Sequence, residues 1–246
     1  MFNNITFGRY YNYNSIIHRL SPVFKLISLM IMIVGIFFID SYIDILMFSL
    51  YLVLVMVYSD IGIITYLKNI YSIKIFLLFI FIIDLIFNSN INNIVFDLYK
   101  LIFIIIYSSA LSYTTSTSEI TYGIERILKV FNNYIPVNDI AMIITLTIRY
   151  IPTLTMEADR IIKAQKMRGI DFDSKNIKNK ISSLVWVFIP MFILSLKKSE
   201  SLGDIMDLRL YNYGKSRTNY RTNSWKKIDS LLLILNIIIL IIVIFY

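Results

Sequence analysis

Two arginines stand where a helix pattern stops and a long side chain can reach past the end. The first lies in the segment from Arg149 to Phe172, whose helical pattern closes on Met167, Arg168 and Gly169. A glycine just past the last turn adopts positive φ without a Cβ penalty, which ends the helix and presents the preceding guanidinium beyond it. That planar fork makes two parallel hydrogen bonds to a carboxylate, so docking on an acidic partner is one reading. The other is that Arg168 only complements the negative helix terminus. The segment from Leu196 to Thr218 repeats the design, with acidic residues along a helix, then Leu208, Arg209 and Leu210, then Gly214 and a basic tail. The two arginines are 41 positions apart (209 minus 168), and two like cationic ends are what a surface needs to engage two similar partners.

Other chemistries are poorly supplied. Cysteine is absent and His18 is the one histidine, which excludes disulfides, thiolate metal sites and Cys/His nucleophile pairs. His18 is expected to be a structural hydrogen-bonding residue near a membrane surface, since no second His or Cys completes a site. No Gly-rich phosphate loop is present, so the chain is not expected to hydrolyse ATP by that route. Asp84 interrupts an apolar run; it either marks an ion path or sits at a helix end beside an Asn-rich connection, and the second is favoured.

The elements that must position these residues are mostly apolar. Hydrophobic residues make up 57% of the 246 and charged residues only 16%, which argues against water as solvent. A bilayer core about 30 Å thick takes roughly 20 apolar residues as a helix. Five predominantly apolar runs approach that length: 23–39, 45–58, 75–87, 101–116 and 230–246. A cleavable leader is not expected, because polar residues precede the first run and no small-residue cleavage site follows it.

Charge sets the expected orientation, since Lys and Arg are held on the cytoplasmic side. The N-terminus and the 59–74 loop are positive, whereas 40–44 and the Asn-rich 88–97 connection carry no Lys or Arg. Eighteen of the 24 basic residues fall between 116 and 230. The domain reading is therefore a membrane part, 1–116, with four spans; a cytoplasmic part, 117–229, with helices at about 118–131, 138–168 and 178–210; and a fifth span, 230–246. In the first of these helices Ser118, Glu119 and Thr121 are the expected cap and first-turn residues, and Asn132 and Asn133 the expected stop. Kinks are expected near Pro152 and Pro190. The run from Leu184 to Leu194 is too short to span yet apolar all round, so it must be buried against protein or lie in the membrane interface.

With these residues in view the chain resembles the T component, or transmembrane coupling protein, of energy-coupling-factor (ECF) transporters, almost end to end. Ser15 to Leu26 resembles the family's entry to its first membrane helix, and Thr114 to Leu128 the start of its first cytoplasmic helix. The family's Ala-Arg-Gly signature falls on Met167, Arg168 and Gly169 and, in its second copy, on Leu208, Arg209 and Leu210. Met167 replaces the usual alanine, and only Arg209 survives of the second copy. The resemblance implies an all-α integral membrane protein with five transmembrane helices and a platform of three coupling helices, two of them crossing. It implies no chemistry in this chain, no cofactor bound by it and ATP bound by its partners. Those partners would be two ABC-type ATPase subunits at the arginine tips and a small substrate-binding membrane subunit, the S component. The S component would rest on Leu184, Val185, Trp186, Phe188, Ile189, Pro190, Phe192 and Ile193. The cell membrane is the implied location, with N-terminus and platform cytoplasmic, and vitamins or other micronutrients such as cobalt or nickel the implied cargo. A basic excess of +7 in 117–229 is expected of any cytoplasmic membrane-protein segment and does not require nucleic acid. The rival reading is a stand-alone secondary transporter or channel, which calls for paired intramembrane charges that the runs scarcely supply.

Overall fold

The computed structural model describes residues 10–87, 91–131, 136–172, 176–211 and 225–245. Among these the chain is helical, and it divides into two compact units. Of the described residues, one unit comprises 10–130 and 225–245, and the other lies within 131–211.

The first unit holds α1 (Pro22–Phe37), α2 (Tyr42–Tyr58), α3 (Ile63–Ser72), α4 (Lys74–Phe87), α5 (Ile91–Thr114), α6 (Thr117–Leu128) and α9 (Lys227–Phe245). Ser21 caps α1, its hydroxyl accepting from the Phe24 N–H, and Pro22 follows at the first helical position, where its missing N–H costs nothing. Met32, Ile36, Phe48, Phe103 and Tyr113 are buried at the centre, while large apolar side chains such as Met30, Leu46 and Ile86 remain exposed. An exposed apolar girdle around a buried core is what a bilayer solvates.

Polar side chains tie the bundle internally. Buried Asp229 accepts from the Ser21 N–H at 3.2 Å and the Lys226 N–H at 2.8 Å, joining the starts of α1 and α9. Lys25 donates from Nζ to the Thr114 carbonyl at 2.8 Å and to Thr115 Oγ1 at 3.2 Å, fixing α1 to the end of α5. Deeper, Asn236 Nδ2 donates to Ser28 Oγ at 2.6 Å, Ser28 and Tyr107 share a 2.5 Å hydroxyl bond, and Tyr107 lies 3.3 Å from Tyr51. In hydrocarbon such groups must find partners on neighbouring helices, which locks their register.

Several boundaries differ from the sequence expectation. Among the described residues four helices are long and apolar enough to cross a membrane: α5, Val137–Met167, Ile181–Leu208 and α9. The α3–α4 pair passes together but bends by 59°, and α1 and α2 are shorter apolar helices. The candidate spans thus differ from the five runs: α1 and α2, over two of those runs, fall short in length, the helices at 137–167 and 181–208 pass, and 75–87 passes only together with α3. α5 begins ten residues earlier than expected, at Ile91, since Ile94 is buried and Asn92 accepts from Tyr42 Oη at 2.9 Å. The cap of α6 is Ser116, not Ser118: Ser116 Oγ accepts from the Glu119 N–H while Glu119 accepts from the Ser116 N–H, a reciprocal box. α6 packs on α1. Asp84 lies in the last turn of α4. Asn132 and Asn133 fall outside the described residues.

The second unit is a helix pair, α7 (Val137–Met167) and α8 (Ile177–Leu208). Both run through their prolines, Pro152 and Pro190, as continuous helices.

Candidate coupling site

The pair is antiparallel, as four contacts along its length show. Tyr211 Oη donates to Asp139 at 3.3 Å, Lys198 pairs with Glu157, Gln165 Nε2 donates to the Trp186 carbonyl at 3.2 Å, and Ser183 Oγ donates to the Asp171 carbonyl at 2.7 Å. Small Ala158 and Val187 are buried among the packed residues. Antiparallel packing puts the two C-terminal ends at opposite ends of the pair. Gln165 lies beside Trp186, so only about 25 residues of α8, from about position 184 to Arg209, separate them, about 38 Å at 1.5 Å per residue.

Both ends close with the same hydrogen-bond motif. After α7, the Gly169 N–H bonds to the Lys166 carbonyl at 3.0 Å and the Ile170 N–H reaches back to Gln165 at 3.1 Å. After α8, the Leu210 N–H bonds to Asp207 at 2.9 Å and the Tyr211 N–H to Met206 at 2.9 Å. This is the Schellman arrangement, which needs a residue of positive φ one past the cap. Gly169 supplies φ +86°, and Leu210, without glycine's freedom, is held at φ +54°. The departure from the family signature therefore leaves the helix-exit geometry intact and stores backbone strain in its place.

The side chains at both ends point away from protein. Arg168 and Arg209 are exposed, and so are Met167, Leu208 and Leu210, each more than four-fifths accessible. At the α7 end exposed Lys163 and Lys166 accompany Arg168 and Met167, and at the α8 end Arg209 stands between Leu208 and Leu210. Sequence reasoning located both tips but had no signal for Glu157, Lys198, Asp139 and Tyr211 as the contacts that hold them apart, because pairing across 41 to 72 positions leaves no local pattern.

The expected S-component face is also on α8. Leu184, Val185, Trp186, Phe188, Ile189, Phe192 and Ile193 are exposed and Pro190 is half-buried, with Phe188 and Phe192 stacked at 6.0 Å. Val187, on the opposite side of that stretch, is buried. His18, by contrast, is tied locally. Its Nε2 donates to the Tyr11 carbonyl at 2.9 Å, so the Nδ1, 2.6 Å from Ser15 Oγ, accepts. Burial lowers its pKa from the ordinary histidine value, against the raising effect of the Tyr11 carbonyl bond.

A bundle of apolar helices joined to a long apolar helix pair with two cationic ends defines a multi-pass helical membrane protein. The family model described as "Cobalt transport protein" (CbiQ) matches residues 13–220. The energy-coupling factor transporter transmembrane protein EcfT of Ruminiclostridium cellulolyticum is 33% identical over 94% of this chain and 92% of its own length. Its counterpart in Lactococcus lactis is 30% identical over 99% and 98%, and that of Thermotoga maritima 30% over 98% and 93%. The chain belongs to this family, the transmembrane T components of energy-coupling-factor transporters.

Proposed function

We propose that this chain transmits ATP-driven motion from two ABC-type ATPase subunits to a membrane-embedded S component, for uptake of a vitamin or another micronutrient across the cell membrane. Arg168 and Arg209 each dock in an acidic groove of one ATPase, with Met167, Leu208 and Leu210 covering the rim. Closure of the ATPase pair on ATP moves the two tips relative to each other. The helix pair tilts as a lever, and the S component resting on Leu184, Val185, Trp186, Phe188, Ile189, Pro190, Phe192 and Ile193 reorients. ATP stays on the partners; this chain binds no cofactor and performs no chemistry. In this reading the N-terminus and the α7–α8 unit face the cytoplasm.

The observation that carries the reading is the pair of matched Schellman ends, at opposite ends of one antiparallel pair, each presenting an exposed arginine among exposed apolar side chains. Co-purification of the ATPases with the variant Arg168→Glu/Arg209→Glu tests it. Loss of the ATPases with the chain still folded is expected; full retention refutes the docking claim.

A further inference from the structure

The first unit contains a cavity of about 450 Å³ between α1, α2, α5 and α9. Its walls come from the start of α1 and α9 and the final turns of α2 and α5, so it lies at one end of the bundle and hence at one membrane face. Leu54 and Val55 of α2 and Leu232 and Leu235 of α9 are among its lining residues. α2 and α9 converge around Gly35, where a Cβ would lie 3.0 Å from Phe48 and 3.9 Å from Leu240. Away from that point residues of both helices line the cavity. From Ile228 to Leu235, seven residues of helix make it about 10 Å deep.

Ser28, Tyr51 and Tyr107 sit at the inner end, and their hydroxyls are bonded to one another and to Asn236. The lining is therefore almost wholly apolar despite these residues. At the outer end the chemistry is cationic. Lys25 lines the wall with two of its three ammonium N–H groups used; Arg19, Lys226 and Lys227 are exposed nearby, Lys226 Nζ donating to the Arg19 carbonyl at 3.1 Å. Of the acids at this end, Asp229 accepts backbone N–H bonds at the start of α9 and Glu119 caps α6, which leaves Asp60.

An apolar slot that reaches part way into one leaflet, with basic residues where the headgroups lie, fits one ligand class. We propose that the cavity holds an acyl chain of an anionic phospholipid, with the lipid phosphate against Arg19, Lys226 and Lys227. The lipid wedges between α2 and α9 and completes packing that the chain leaves open.

The test is native mass spectrometry of the full chain, stripped of lipid in detergent and supplied with phosphatidylglycerol or phosphatidylcholine. The parent is expected to retain one phosphatidylglycerol in preference to phosphatidylcholine. Lys226→Gln/Lys227→Gln, surface changes that spare the core, should weaken phosphatidylglycerol by about fivefold per lysine and leave phosphatidylcholine unchanged. Leu54→Trp/Leu232→Trp, which fills the slot, should abolish retention of both, with circular dichroism verifying the helix content. Equal retention of the two lipids by the parent overturns the proposal, as does undiminished phosphatidylglycerol on the filled variant. Absence of phosphatidylglycerol from the assembled transporter, with Leu232→Cys shielded from thiol reagents by a partner subunit, overturns it in favour of a protein occupant.

Discussion

The two Schellman ends differ in one residue, and that difference has a calculable effect. Gly169 sits at φ +86° with nothing within 4 Å of where a Cβ would be, so Gly169→Ala meets no clash and the cost is purely backbone. An L-residue in the left-handed region costs about 1 kcal/mol or somewhat more. That raises the frayed population of this helix end about fivefold. Leu210, at φ +54°, already carries the strain, and Leu210→Gly releases it; glycine's freer unfolded chain returns part of the gain, leaving about a two- to threefold effect. Amide hydrogen exchange reads both. The Ile170 amide, bonded to Gln165, should exchange about fivefold faster in Gly169→Ala, and the Tyr211 amide, bonded to Met206, more slowly in Leu210→Gly. The same Leu210→Gly change removes an apolar group that is 88% exposed, and by the docking proposal it should weaken ATPase binding by about tenfold. Unchanged exchange at Ile170, or faster exchange at Tyr211, would show that φ at these positions is not what holds the ends.

Further expectations concern the supports of the site. In a double-mutant cycle on Glu157→Gln and Lys198→Met, the pair should show a coupling of about 0.5–1 kcal/mol, discounted for partial exposure; no coupling in thermal stability would mean the contact does not bind α7 to α8. Gly123→Leu should separate α6 from α1, because even a Cβ there would lie 2.7 Å from Leu26 Cδ1 and 3.3 Å from the Pro22 backbone, lowering stability by about 1–3 kcal/mol; an unchanged melting temperature contradicts that close approach. His18, as the one imidazole, gives an unambiguous NMR titration, and its pKa should lie below the ordinary value of about 6.5. A base whose folded pKa is depressed favours the neutral form in the fold, so its contribution is complete above the ordinary value and falls away as pH drops below it. A measured pKa at or above the ordinary value would contradict the burial argument.

Composition and short-range pattern carry the chemistry class and the tips. An apolar, cysteine-free chain with its basic residues gathered in 116–230 reads directly as a membrane protein with a charged platform, because hydropathy and charge are local properties. The ends of α7 and α8 at Arg168 and Arg209 are marked locally too, and so both helix ends were legible, as was the all-round apolar character of Leu184 to Leu194. Capping residues were legible in kind but misplaced by two positions at α6, since Ser116 and Ser118 both satisfy a cap pattern and only the reciprocal bonds of Glu119 choose between them. The early start of α5 escaped because its asparagines resemble a loop until Ile94 is seen buried and Asn92 bonded to Tyr42.

The tertiary structure alone decided how the tips stand relative to each other and what keeps them there. Contacts between 139 and 211, 157 and 198, and 165 and 186 make the pair antiparallel and send the arginines to opposite ends. Nor does the order of residues show that Leu210 is driven into a left-handed conformation, or that Asn236, Ser28, Tyr107 and Tyr51 join four helices through hydrogen bonds. The reason is one of range. Propensity and hydropathy act over a few residues, whereas the geometry of a helix pair is set by contacts tens to hundreds of positions apart, each specified by packing and by the need of buried polar groups for partners.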